Sequence, residues 1–153
     1  MSVEVGSEAP DFTLRDENGQ ELTLSSLRGR NVVLVFYPLA FSGMCTKELH
    51  EISIHADDYE RAGAEVIGIS VDSPFTLKAF KRDEDIKARL ASDFHPKGAV
   101  AREYGAYIEE AGIATRATFV IDKDGKVVSK IVNHPGEARN QDEYIQALAA
   151  CPV

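Results

Sequence analysis

One cysteine stands where a reactive sulfur would be built. In FYPLAFSGMCTKE, residues 36–48, an apolar run ends at Pro38, passes through small residues and reaches Cys45 just before a run of helix formers. The N–H groups of a helix's first turn lack intrahelical partners, and the positive end of the helix dipole lies there. A sulfur at that place is favoured as the thiolate, the form that acts as a nucleophile. The neighbours fit the same chemistry. Pro38 has no N–H and a fixed φ, so it shapes the loop and screens the sulfur from water. Ser42 offers a hydroxyl across the helix start, and Glu48 lies one helical turn beyond Cys45, facing the same way. Plainer readings stay open at this point. Free cysteines are among the most buried residues, so Cys45 also reads as an inert corner residue and Glu48 as an exposed helix acid.

Other chemistries find less support. The chain has two cysteines, Cys45 and Cys151, too few for the disulfide framework of a secreted domain. Reduced thiols and a cytoplasmic location are therefore expected. A dithiol reductase needs Cys-x-x-Cys, and position 48 is Glu48. Cys45, His50 and His55 lack the paired spacing of a zinc site. His95 and His134 each precede a proline and read as loop residues. Residues 122–125, DKDG, resemble the start of a calcium loop, but Asn133 stands where the closing glutamate belongs. There is no glycine-rich phosphate loop, and no cofactor or metal is expected. A net charge of −8 and a pI near 5.0 exclude nucleic acid as a partner, because phosphate binding needs clustered cations. No apolar run reaches the ~18–20 residues of a membrane span, and the first residues lack the basic start and apolar centre of a signal peptide.

Such a site needs a scaffold of strands and helices to hold it. At 153 residues, 44% hydrophobic and 27% charged, the chain is expected to form a single globular domain over residues 1–153. PDFTLRDENGQELTLSSL alternates about Asn18-Gly19 and predicts a hairpin followed by a short helical turn. NVVLVF (31–36) predicts a strand buried on both faces. Leu49, Ile52, Ala56 and Tyr59 at helical spacing predict one helix over 46–62, stopped by Gly63. A second buried strand is expected over 64–72, then a helix from Ser73-Pro74 to about Arg82. A short strand over 89–94, a helix over 98–104, a hairpin about Lys123-Asp124-Gly125 and a helix over 141–150 complete the chain. That order makes an α/β sandwich with a mixed central sheet. It suits a thioredoxin-like fold, although the pattern leaves other open α/β folds in play.

FYPLAFSGMC resembles the peroxiredoxin active-site pattern, Pro-x-x-x-Thr/Ser-x-x-Cys, with Pro38, Ser42 and Cys45 in the matching places. GSEAPDFTLRDENG resembles that family's opening, SDFHPKGAVAREYGAY its middle, and ATRATFVIDKDGKV its arginine-bearing strand. HPGEARNQDEYIQAL is closer to the one-cysteine, alkyl hydroperoxide reductase E type than to the bacterioferritin-comigratory type. The resemblance covers nearly the whole chain. It implies a thioredoxin-like fold, Arg116 as the active-site arginine, and a thiol-dependent peroxidase acting on hydrogen peroxide or organic hydroperoxides. Most members carry threonine where this chain has Ser42, which keeps the oxygen but loses the methyl that restrains χ1.

On that reading Cys45 attacks the peroxide and becomes a sulfenic acid. Arg116 and Ser42 stabilise the moving charge, and Glu48 orients Arg116. The family's usual resolving position in this helix is occupied by His50. Cys151 sits in AACPV, two residues from the end of the sequence; it is a candidate resolving cysteine, but a one-cysteine cycle closed by an external thiol is preferred. That reductant would be a low-molecular-weight thiol or a thioredoxin-like or glutaredoxin-like protein. The family also implies a homodimer, with Phe41, Phe94 and Tyr107 as candidate aromatic anchors. A peroxide sensor and a redox-inert thioredoxin-fold binding module are the alternative functions.

Overall fold

The computed structural model describes residues 3–134, 136, 137, 139 and 141–149. Strands β1 (Thr13–Asp16) and β2 (Glu21–Thr23) form the first hairpin, with Leu14 opposite Leu22. Its turn is held by Asp16 Oδ1, which accepts from the N–H groups of Asn18 and Gln20 at 2.9 and 3.0 Å. A 3-10 turn (Leu24–Leu27) leads into β3 (Asn31–Phe36), α1 (Gly43–Ile54) and α2 (Ala56–Arg61). Then come β4 (Ala64–Ser70), α3 (Pro74–Asp83), β5 (Arg89–Ser92) and α4 (Ala99–Glu103). A small hairpin of β6 (Tyr107–Ile108) and β7 (Ile113–Ala114) precedes β8 (Arg116–Ile121), β9 (Val127–Asn133) and α5 (Gln141–Ala149).

Seven strands form one sheet in the order β2-β1-β5-β4-β3-β8-β9. β3, β4 and β5 run parallel, and β1, β8 and β9 pair antiparallel with their neighbours. The sheet is mixed, as the element order predicts. All six residues of β3 are buried because both faces are covered. Val32, Leu34 and Phe36 enter one core with Phe12, Tyr104 and Phe119. Val33, Val35 and the next residue, Tyr37, enter the other with Leu49, Phe80 and Leu148. Period-two alternation with a core on each side makes a continuous apolar run. In β4, Gly68 leaves room for that second core: a Cβ there would lie 2.9 Å from Leu90 Cδ2, 3.1 Å from Tyr37 Cε1 and 3.7 Å from Leu49 Cδ2.

Three details depart from the sequence reading. The helix expected over 46–62 starts earlier, at Gly43, because Ser42 is extended (φ −72°, ψ 148°) and helical geometry begins directly after it. It is also two helices, interrupted at His55, whose ψ of 17° leaves the helical region. The β6/β7 hairpin was not expected; two residues per strand are too few to show alternation. The last helix covers Gln141–Ala149, and Cys151 lies outside the described residues.

Candidate active site

The site forms at the carboxyl end of β3, the end of a parallel strand where α/β sheets place their chemistry. Tyr37 continues the strand, its N–H donating to Ile69 O at 3.1 Å. Pro38 is buried and ends the strand pairing. The loop then rises to the start of α1, where Cys45 is the third helical residue and 0% exposed. Its neighbours on the inward face are Glu48, Leu49 and Ile52, all buried. Those positions recur at helical spacing, so one stripe of α1 carries a sulfur, a carboxylate and two aliphatics onto the sheet.

Arg116, the first residue of β8, meets that stripe. Its Nη1 donates to Cys45 Sγ at 3.3 Å and to Glu48 Oε1 at 2.6 Å. A second guanidinium completes the cluster. Arg139 donates to Glu48 Oε2 from its backbone N–H at 2.8 Å and from Nε at 3.1 Å, and to Oε1 from Nη2 at 2.9 Å. Its Nη1 points to Phe36 O, Ala117 O and Thr118 Oγ1 at 2.6, 3.0 and 3.2 Å. Arg139 thereby ties α1 to the ends of β3 and β8. Burial pushes the Glu48 carboxyl up, but the hydrogen bonds and charge of Arg139, with the charge of Arg116 behind them, outweigh it and hold the carboxyl below its usual range. Glu48 is therefore an anion at neutral pH, with a guanidinium on either side.

The structure brings Cys45, Glu48 and Arg116 together, as the sequence reading expects. Ser42 stands at the N-cap, but its hydroxyl donates to Leu39 O at 2.8 Å. Arg139 is the functional-site residue that sequence reasoning missed. In EARNQDE it reads as one more polar cation before a helix. The signal was Glu48: a carboxylate on the apolar stripe of a helix must be met by buried cations.

The remaining candidates fall elsewhere. His50 and His55 lie at the surface beside Glu84 and Asp58, at 3.7 and 3.0 Å. Among the described residues, no group of three or more His, Cys, Asp or Glu side chains could hold a metal ion. The DKDG segment is a hairpin turn, with Asp122 Oδ1 accepting from the N–H groups of Asp124 and Lys126. Phe41 and Phe94 are exposed, whereas Tyr107 packs on the core and carries the Arg102 guanidinium 4.3 Å above its ring. No helix among the described residues is long and apolar enough to cross a membrane. A cavity of about 510 Å³ opens at the other end of the parallel strands, lined by residues such as Arg30, Glu65 and Arg89.

The family model described as AhpC/TSA matches residues 5–130. Alkyl hydroperoxide reductase E of Mycobacterium tuberculosis is 45% identical over 149 residues, covering 97% of both chains. Among solved structures, Peroxidoxin BcpB from Mycobacterium tuberculosis superposes with a TM-score of 0.87 at 31% identity, covering 98% of this chain and 99% of that one. The reduced 2-Cys peroxiredoxin of Plasmodium vivax gives a TM-score of 0.88 at 29% identity, covering 97% and 81%.

Proposed function

The chain belongs to the AhpC/TSA family, the peroxiredoxins, and is a thiol-dependent peroxidase; on that premise we propose that Cys45 is the sulfur that meets the peroxide. The observation that carries this reading is the position of Arg116 Nη1, in contact with both Cys45 Sγ and Glu48 Oε1. Two guanidinium groups around one carboxylate make a positively biased, dry cluster. An anionic sulfur at the start of α1 complements it.

The thiolate attacks the terminal oxygen of the hydroperoxide. The S–O bond forms as the O–O bond breaks, and the terminal oxygen stays with its hydrogen as Cys45–SOH. The other oxygen leaves with the bonding pair and takes a proton, giving an alcohol, or water from hydrogen peroxide. Negative charge travels from sulfur to the leaving oxygen, and Arg116 lies where it can follow that charge. Because the Ser42 proton is committed to Leu39 O, Ser42 receives the peroxide with its lone pairs, as acceptor of the hydroperoxide hydrogen. Glu48 holds Arg116 in place, Arg139 holds Glu48, and Pro38 shapes and shields the loop.

The cycle closes when an external thiol attacks the sulfenic sulfur, releasing water and leaving a mixed disulfide. A second thiol then restores Cys45. The reductant is a small thiol or a thioredoxin-like or glutaredoxin-like protein, with Cys151 outside this cycle. The exposed Phe41 and Phe94, beyond the carboxyl ends of β3 and β5, support a homodimer, and the small number of cysteines supports a cytoplasmic location. Light scattering that finds only monomer at micromolar concentration would remove the dimer from this proposal.

The decisive test is Cys45→Ser. It is expected to abolish peroxide consumption, and one equivalent of peroxide should add one oxygen to the intact mass of the parent but not of the variant. If Cys45→Ser consumes peroxide at the parent rate, Cys45 is not the reacting sulfur.

A further inference from the structure

Between Pro38 and Ser42 the chain must turn from the end of β3 into α1, and it does so at some conformational cost. Phe41 has a φ of 68°, in the left-handed region that a residue with a Cβ adopts only under constraint. Its ring is held against Phe80, with centroids 5.0 Å apart. The residue before it is fastened from another element. Ala40 N–H donates to Asp72 Oδ2 at 2.8 Å. The same oxygen accepts from Ser70 Oγ at 2.6 Å, and Asp72 O accepts from Ser92 Oγ at 2.6 Å. Asp72 is thus fixed at the ends of β4 and β5 and reaches across to the loop that delivers Cys45.

We propose that Asp72 is a positioning residue for the peroxide reaction: by holding Ala40 N–H it keeps Phe41 left-handed and seats the first turn of α1, with Cys45, against Arg116. It does so without touching substrate. Both donors on Oδ2 are neutral, so the required feature is a fixed acceptor oxygen rather than a negative charge. Losing it lets the loop leave its strained conformation. The sulfur then moves off Arg116 and gains access to solvent. A displacement of this kind costs rate steeply, because attack on the O–O bond depends on alignment. This inference rests on Cys45 being the reacting sulfur.

The test compares the parent with Asp72→Ala and Asp72→Asn. Three quantities are read: the second-order rate with hydrogen peroxide, the rate of Cys45 alkylation by an uncharged maleimide, and the midpoint of thermal unfolding. Asp72→Ala is expected to slow the peroxide reaction roughly tenfold or more while alkylation becomes faster, because the covered sulfur is now reachable. Asp72→Asn keeps an acceptor oxygen and should stay close to the parent in both. The opposite signs separate positioning from a general loss of stability, which would show in the unfolding midpoint and would not be rescued by asparagine. Hydrogen exchange on the parent gives an independent check, since the Ala40 amide should be protected. The proposal fails if Asp72→Ala reduces peroxide at the parent rate, if Asp72→Asn is as slow as Asp72→Ala, or if the Ala40 amide exchanges as freely as an exposed one. A parent whose Cys45→Ser variant still consumes peroxide would instead overturn the assignment of the sulfur.

Discussion

The two ends of the parallel strands hold similar side chains to opposite effect. At the start of β3, β4 and β5, Arg89 bridges Asp16 and Glu65 at 3.2 and 3.4 Å, and Arg30 reaches Glu65 at 3.2 Å. Four acids and four bases line the large cavity there, so its charges balance, and Arg30, Lys81 and Arg89 stay partly exposed even where Asp16 and Glu17 are buried. At the other end, two arginines surround one glutamate, bonds run from 2.6 to 3.1 Å, and the adjoining sulfur is wholly covered. Volume and chemistry are separated in this fold. The roomy end is neutralised and its cations stay partly in water, which weakens their ion pairs. The crowded end is dry and weighted toward positive charge, which is what a reacting anion needs.

Removing Arg139 should have the largest effect on this contrast. Arg139→Ala keeps the backbone N–H bond but leaves the buried Glu48 carboxylate short of two side-chain hydrogen bonds, and breaking a buried ion pair costs about 3–5 kcal/mol. Denaturant unfolding should register that loss. A destabilisation no greater than that of a surface substitution would mean the cluster tolerates water as the other end does.

Arg116→Ala addresses rate rather than stability. Loss of a transition-state contact of ~3 kcal/mol slows peroxide attack roughly a hundredfold. Alkylation of Cys45 by an uncharged reagent should slow less, because it breaks no O–O bond. Equal slowing of both would confine Arg116 to stabilising the thiolate, and no slowing of either would remove it from the site.

Acid offers a smaller effect with a defined sign. The Glu48 carboxyl titrates below its usual range in the folded protein. Its contribution is complete above the ordinary carboxyl value of about 4.3 and is lost as pH falls through the lower folded value. Glu48→Gln should therefore flatten the loss of stability in that acid window. If parent and variant lose stability in parallel on acidification, Glu48 is not held as an anion by its arginines.

The smallest effect belongs to the cavity end. The Arg30 side chain is 51% exposed, and Arg30→Ala should change stability by at most ~1 kcal/mol and leave the peroxide rate alone. A clear loss of rate would overturn the separation of room from reactivity.

Much of this was legible in the sequence where one physical signal dominated. The unbroken NVVLVF run announced a strand covered on both faces, and the core on each side of β3 is its cause. Cys45 and Glu48 were legible because helical spacing puts them on one face. Arg116 became legible only through resemblance, since a cation at a strand start looks the same whether it meets water or a sulfur. Arg139 was not legible for the same reason: its partners Glu48, Phe36 and Thr118 come from α1, β3 and β8, and no local pattern reports contacts so distant along the chain. The direction of the Ser42 hydroxyl depends on a turn through a left-handed phenylalanine, a conformation that composition does not forecast.

Gly68 carries a consequence for how this sequence can drift. The hydrogen at that position acts as a spacer gauge. It leaves room for the tips of Leu90 from β5 and Tyr37 from the end of β3, the two side chains a Cβ would crowd, with Leu49 of α1 next to them at ordinary contact distance, while Arg116 is fixed to the sheet by its pairing with Asn133. One added methyl would press on Leu90 and on the Tyr37 ring, which shares a core with Leu49 and Cys45, and so disturb the seat of the sulfur and a gap to the guanidinium that now measures 3.3 Å. A Gly68→Ala allele would keep every reacting group and still run slowly, a dimmer rather than a broken switch. If that variant matches the parent in both peroxide rate and unfolding midpoint, the layer has slack and the gauge can wander.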